Sequence, residues 1–288
     1  MIGAFRGSSA RLGGRPAVTA IVAGLNGSSG PSGMCHSLAI VLTTLLGGRA
    51  FAERFGQGPT TVVALHGWGR TRHDWQSTLD GYDALALDLP GFGATPPPES
   101  GWSTREYAAW AAEILRELDR PVLVGHSFGG RVAVKLAADS PDLVRGLVLT
   151  GVPLLRAQAA RAKPPLAFRV ARWLNRRGLV SDARMEELRR KRGSADYNAA
   201  QGVMREVLVK AVNEDYAEEL DAIRVHGLPV AMVWGEHDTA ATTSMATAAQ
   251  ELLGDHAQLV VVPGSGHLLD AALVAEIRHA VDRLKAVA

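Results

Sequence analysis

Six short apolar runs, each followed by a loop, constrain what this chain can fold into more than any other feature of it. They are Thr61 to Leu65, Ala84 to Leu87, Pro121 to Val124, Leu147 to Thr150, Pro229 to Trp234 and Gln258 to Val262. Hydrophobicity that is continuous rather than alternating requires cover on both faces, as buried parallel strands have. Between the runs lie helical stretches at Thr104 to Leu118, Gly129 to Ala138, Ser244 to Leu253 and Leu268 to Leu284, with apolar residues three and four positions apart. Strand and helix in alternation predict an α/β fold, with a mostly parallel sheet and helices on both faces. Ahead of it, Gly47 to Phe55 alternates loosely around a Gly-Gly pair and predicts an antiparallel strand or hairpin.

The interval 155–225 breaks the alternation, because it carries helical patterns and no strand. Such an insertion packs over one end of the sheet, and ligands of open α/β sheets bind at the carboxyl ends of the strands. It is therefore expected to be a helical lid, inserted into a core made of residues 37–154 and 226–288. The 288 residues, about half of them apolar, bury one sizeable core and fall short of two full domains. Residues 1–36 are rich in Gly, Ser, Ala and Arg without a helical or strand period, and are expected to be a disordered extension. Two further readings apply there. Arg6, Arg11 and Arg15 ahead of Ala17 to Leu25 resemble parts of a secretory signal, and Met34 offers an alternative start. The apolar run Leu38 to Leu46 is shorter than the roughly 20 residues a span needs, so no membrane span is expected. A cytoplasmic location is the expectation, with secretion through the extension as the alternative.

A net charge of +2 gives no global field of the kind that draws nucleic acid, and none is expected as a partner. Cys35 is the single cysteine, so there is no disulfide framework and no Cys/His cluster at metal-ligand spacing. The expected chemistry needs neither metal nor cofactor.

That chemistry centres on Gly125-His126-Ser127-Phe128-Gly129-Gly130, between the apolar run Pro121 to Val124 and the helical pattern at Val132 to Leu136. A G-x-S-x-G segment between strand and helix is the context of a nucleophile elbow, in which flanking glycines allow a strained, exposed serine. Ser127 is the candidate nucleophile. A serine hydroxyl needs a base, and the base needs an orienting acid; where the serine sits on a nucleophile elbow the chain order is serine, acid, histidine. The turn Trp234-Gly235-Glu236-His237-Asp238 offers Asp238 or Glu236 as the acid, and Pro263-Gly264-Ser265-Gly266-His267 offers His267 as the base. Two backbone N–H groups should stabilise the developing oxyanion: that of Phe128, after the nucleophile, and that of Trp68 in the loop His66-Gly67-Trp68-Gly69.

Those segments, with Asp88-Leu89-Pro90-Gly91-Phe92-Gly93, resemble the ordered signatures of the α/β-hydrolase fold superfamily in its serine-nucleophile branch, from Gly47 to the C-terminus. The resemblance implies an eight-stranded-type sheet, a Ser-His-Asp triad and hydrolysis of a carboxylic ester or thioester through an acyl-enzyme. Its Gly-x-x-Asp spacing favours Asp238. The lid and the His-Gly-Trp-Gly and Asp-Leu-Pro-Gly-Phe-Gly segments are also similar to the carboxylesterases that demethylate pimeloyl-carrier-protein methyl ester. Relatives that hydrolyse a carbon–carbon bond use the same triad, and a non-catalytic small-molecule receptor could keep the fold; both stand as alternatives. Between Arg156 and Arg192 cations far outnumber acids, and Arg169, Arg172 and Arg176 would share one helix face. A solvated outer face is one reading of this stripe. The other is an anionic or carrier-linked substrate.

Overall fold

A computed structural model describes residues 20–21, 41–155, 173–181, 184–185 and 195–286. Nine strands form one sheet: β1 Ala20–Ile21, β2 Val41–Leu45, β3 Ala50–Phe55, β4 Val62–Leu65, β5 Ala84–Asp88, β6 Val122–His126, β7 Gly146–Thr150, β8 Val230–Gly235 and β9 Ala257–Val262. Their order is β1-β2-β3-β5-β4-β6-β7-β8-β9. From β5 to β9 neighbours run parallel, while β1, β2 and β3 join at the β5 edge by antiparallel pairing. The eight strands β2 to β9 are the expected sheet. The ninth comes from the stretch expected to be disordered: Ala20 and Ile21 pair with Thr43 and Leu42, and the rest of residues 1–40 lies outside the described residues. The hairpin expected around Gly47 pairs β2 with β3, so the apolar run before Gly47 is its first strand.

Eight α-helices have both bounds among the described residues: α1 Gln76–Leu79, α2 Thr104–Leu115, α3 Phe128–Asp139, α4 Ala195–Ala199, α5 Gly202–Ala211, α6 Ala217–Val225, α7 Thr243–Leu253 and α8 Ala271–Ala286. The central strands are buried along their length and send alternate side chains to opposite faces. Leu123, Leu149 and Met232 meet Tyr107, Val132 and Leu136 of α2 and α3, while Val122, Val124 and Val233 meet Leu273, Ile277 and Val281 of α8. This two-sided burial is why the strands read as unbroken apolar runs. The last strand departs from the expectation. It lies at the sheet edge, and Val261, inside its apolar run, is exposed.

Helix α8 begins three residues later than its apolar pattern suggests. Asp270 accepts from the Leu273 N–H at 2.9 Å and its carbonyl from the Val274 N–H at 2.9 Å, a cap that leaves residues 267–269 in a loop. Helices α4 to α6, together with helical residues at 173–176 and 184–185, lie in the interval between β7 and β8, where no strand is found among the described residues. The side chain of Met204 in α5 rests on Gly91, and Lys210 donates to the Gly101 carbonyl, so α5 lies on the loop that leaves the carboxyl end of β5. The Tyr216 N–H donates to the Leu154 carbonyl at 3.1 Å, tying the return of the insertion to its departure.

Candidate active site

Strand β6 turns into α3 at Ser127, whose φ of 49° and ψ of −111° lie where L-residues rarely sit. Such a backbone costs on the order of 1–3 kcal/mol and persists only where the surroundings enforce it. Here they do so from both sides. The Ser127 N–H donates to the Thr150 carbonyl at 3.0 Å and the Gly129 N–H to the His66 carbonyl at 3.1 Å, strapping the turn between the ends of β7 and β4. A Cβ at Gly125 would come within 2.5 Å of Gly130 Cα, and one at Gly129 within 2.3 Å of the Leu65 carbonyl oxygen. The turn therefore closes only with glycine at both places.

The structure brings Ser127, His267 and Asp238 together. His267 Nε2 lies 3.2 Å from Ser127 Oγ, and His267 Nδ1 lies 2.8 Å from Asp238 Oδ2. A carboxylate only accepts, so Nδ1 carries the proton and Nε2 turns a bare lone pair to the serine hydroxyl. The Asp238 side chain is fully buried. Burial pushes its carboxyl up, but the His267 hydrogen bond and the Ala241 and Ala240 N–H groups outweigh that and hold it below the ordinary carboxylate value. Glu236, the other candidate acid, points to solvent and accepts from the Gly264 N–H at 3.0 Å.

The loop after β4 is fixed by His66. Its Nδ1 donates to the Gly67 carbonyl at 2.7 Å and its Nε2 accepts from the Leu89 N–H at 3.0 Å, while burial pushes its pKa down and keeps it neutral. Among the described residues, the backbone N–H groups of Trp68 and Phe128 have no acceptor. Both are available to an incoming oxygen. The Trp68 ring also packs, edge-on, against Phe92 at 5.0 Å and Phe128 at 5.3 Å, so packing and availability of its N–H hold at once. Asp88, first of the Asp-Leu-Pro-Gly-Phe-Gly segment, accepts from the Arg72 and Ala94 N–H groups and pairs with the Arg72 guanidinium. That segment's acid shapes a loop and stands outside the proton relay.

A profile of the Alpha/beta hydrolase family matches residues 62–277. The chain belongs to the alpha/beta hydrolase family. This chain is 41% identical over 110 residues to an esterase of Mycobacterium tuberculosis, covering 36% of this chain and 37% of that one. It is 40% identical over 101 residues to the pimeloyl-[acyl-carrier protein] methyl ester esterase of Aeromonas hydrophila, covering 33% of this chain and 39% of that one. The matches thus span less than half the length of these relatives. Among solved structures, a thermophilic esterase superposes with a TM-score of 0.59 at 23% identity, over 84% of this chain and 95% of the other, and so shares the fold.

Of the cationic stripe, Arg176 is exposed, and its neighbour Arg177 stacks on Trp173 at 3.9 Å; Arg169 and Arg172 lie outside the described residues. Among the described residues, no helix is long and apolar enough to cross a membrane. Three contacts at the site, made by two side chains, escape sequence reasoning. His126 Nε2 reaches the His267 carbonyl at 2.9 Å, and Arg131 donates to the carbonyls of Pro153 and Ala211 at 3.2 and 2.6 Å, joining the elbow helix to the insertion. Each joins residues far apart in the chain, so no local spacing announces it.

Proposed function

We propose that this chain is a serine hydrolase that cleaves a carboxylic ester or thioester through an acyl-enzyme. The observation that carries this reading is the unbroken line of contacts from buried Asp238 through His267 to a serine held at a strained turn. Ser127 Oγ attacks the carbonyl carbon while His267 Nε2 takes its proton, and Asp238 stabilises the imidazolium that forms. The carbonyl oxygen becomes an anion facing the Phe128 and Trp68 N–H groups. His267 returns the proton to the departing alkoxide or thiolate, leaving Ser127 acylated. Water, deprotonated by the same histidine, then attacks the acyl carbon and releases the carboxylic acid and free serine.

In this reading residues 155–225 form a lid over the carboxyl ends of the strands, supported by the seat of α5 on the loop after β5. The cationic stretch between Arg156 and Arg192 supports a substrate that is anionic or carrier-linked. Replacing Arg172 and Arg176 by glutamine should then raise KM for an acyl-CoA and spare a neutral ester; an equal effect on both would remove this part of the reading.

The test of the activity is hydrolysis of p-nitrophenyl esters from acetate to decanoate, beside acyl-CoA thioesters, by wild type and Ser127→Ala, with fluorophosphonate labelling of both. Turnover and labelling that vanish together in Ser127→Ala are the expected result. Turnover that survives the substitution would overturn the proposal.

A further inference from the structure

One buried side chain touches the base of the relay without belonging to it. We propose that His126 is a positioning residue, whose Nε2–H locks the main chain of His267 to the nucleophile turn so that Ser127 and its base keep a fixed separation. The proposal rests on the serine-hydrolase reading above and deepens it.

The first observation is the contact itself. His126 Nε2 lies 2.9 Å from the His267 carbonyl oxygen, and a carbonyl only accepts, so this nitrogen carries the proton. Among the described residues it is the only hydrogen bond that the His267 main chain makes. His267 needs such an anchor, because residues 263–270 form neither helix nor strand and two of them, Gly264 and Gly266, are glycines. The loop is pinned on either side of the histidine: the His237 N–H donates to the Ser265 carbonyl at 2.8 Å, and Ser265 Oγ donates to Asp270 at 3.1 Å. Between those pins, His126 holds the base. Because His126 directly precedes Ser127, the bond ties base to nucleophile through the chain, and it makes no use of Ser127 Oγ.

The second observation is what the other ring nitrogen lacks. His126 is buried, and among the described residues its Nδ1 has no hydrogen-bond partner. The ring is packed against the oxyanion loop so closely that a Cβ on Gly67 would lie 2.8 Å from Nδ1. An unsatisfied buried nitrogen weakens a fold, and an apolar side chain here would remove that burden. The bond made by Nε2 gives the buried imidazole a role that an apolar side chain could not fill. Burial, followed by the nearby charge of His267, pushes the His126 pKa down to about 4, so the ring stays a neutral donor while the base beside it, 5.0 Å away between ring centres, gains and loses its proton.

Three variants test this. His126→Leu has no donor, His126→Asn has one too short to reach His267, and His126→Gln carries an amide N–H at about the reach of the imidazole Nε2. With p-nitrophenyl acetate, the Leu and Asn variants should lose about 30- to 100-fold in kcat and in fluorophosphonate labelling rate, with KM nearly unchanged, as a misplaced base would cause. His126→Gln should recover most of the loss. The far-downfield proton resonance of the Asp238–His267 hydrogen bond should persist in wild type and His126→Gln and broaden in His126→Asn. Should His126→Leu fail to fold, the Asn and Gln pair decides. Wild-type kcat and an unbroadened resonance in a folded Asn variant would overturn the proposal, as would a Gln variant as slow as the Asn one. If wild type neither turns over esters nor takes the label, the hydrolase reading fails on its own, and the resonance still tests His126.

Discussion

Asp238 divides its carboxylate between His267 and its own turn: Oδ2 takes the imidazole Nδ1–H at 2.8 Å, while Oδ1 takes the N–H groups of Ala240 and Ala241 at 2.9 and 2.8 Å. The two backbone donors fix which oxygen remains for the histidine. In Asp238→Asn the amide oxygen must stay with those donors, which turns the NH2 towards His267 and forces the proton onto Nε2. A base protonated on the side facing the serine cannot accept from it. Turnover of a p-nitrophenyl ester should fall by about three to four powers of ten, with the fold intact by circular dichroism. Glu236→Ala should stay within about twofold of wild type, since Glu236 only accepts from an exposed loop N–H. A larger loss in Glu236→Ala than in Asp238→Asn would reverse the assignment of the acid.

The same carboxylate gives the fold an acid sensitivity with a defined sign. Its folded pKa lies below the ordinary carboxylate value, because the hydrogen bonds from His267, Ala241 and Ala240 outweigh the opposing effect of burial. A group whose pKa is lowered on folding stabilises the fold at pH above its unfolded value, roughly 3.9, and that contribution is lost as pH falls through the folded pKa. Urea unfolding between about pH 5 and 2.5 should show wild type losing stability more steeply than Asp238→Asn. Parallel curves would mean that the network around Asp238 adds nothing to stability.

The sequence made the sheet legible because central strands buried on both faces must be apolar without interruption, and β4 through β8 are. Strand β9 kept the same pattern at an edge, where exposure of Val261 leaves no trace in composition. The start of α8 was legible in principle, since Asp270 before an apolar helical pattern is a capping signal, but Leu268 and Leu269 extend the periodicity past it. At the site, Ser127 was readable because its turn demands glycines at fixed places. The Gly-x-x-Asp spacing favoured Asp238, but position alone did not exclude Glu236 two residues before it; the fold buries Asp238 and leaves Glu236 in solvent. His126 carried no signal at all. It fills a variable position of the elbow motif, and its partner is 141 residues away.

The glycines of the elbow make a prediction about folding rather than chemistry. A methyl group at Gly129 would meet the backbone oxygens of Leu65 and His66, and one at Gly125 the backbone of Gly130. Backbone cannot swing aside as a flexible side chain can. Gly125→Ala and Gly129→Ala should each destabilise the protein by about 1–3 kcal/mol in urea unfolding and depress labelling of Ser127 as the turn opens. By contrast, Gly264→Ala should leave the labelling rate almost unaltered: a Cβ there meets no atom within 4 Å, and only its φ of 74° opposes the change.

The insertion is held to the elbow helix by a buried ion pair whose energetics can be separated. Lys135 of α3 pairs with Glu219 of α6, both side chains being nearly excluded from solvent, and Lys135 Nζ also sits 5.1 Å above the Tyr216 ring. Glu219 has a second partner, Arg105, at 3.2 Å, whereas among the described residues Lys135 forms an ion pair with Glu219 alone. The two single substitutions should therefore be unequal. Glu219→Leu strands a buried ammonium and should cost about 3 kcal/mol, while Lys135→Met leaves Glu219 with Arg105 and should cost clearly less. The double variant should recover most of the loss of Glu219→Leu, because a buried ion pair replaced whole by apolar side chains sheds its desolvation penalty together with its attraction. Urea unfolding of the four proteins measures the coupling. Strict additivity would show that the pair contributes no specific attraction between α3 and α6, leaving the Arg131 contacts to Pro153 and Ala211 as the main polar tie between the elbow helix and the insertion.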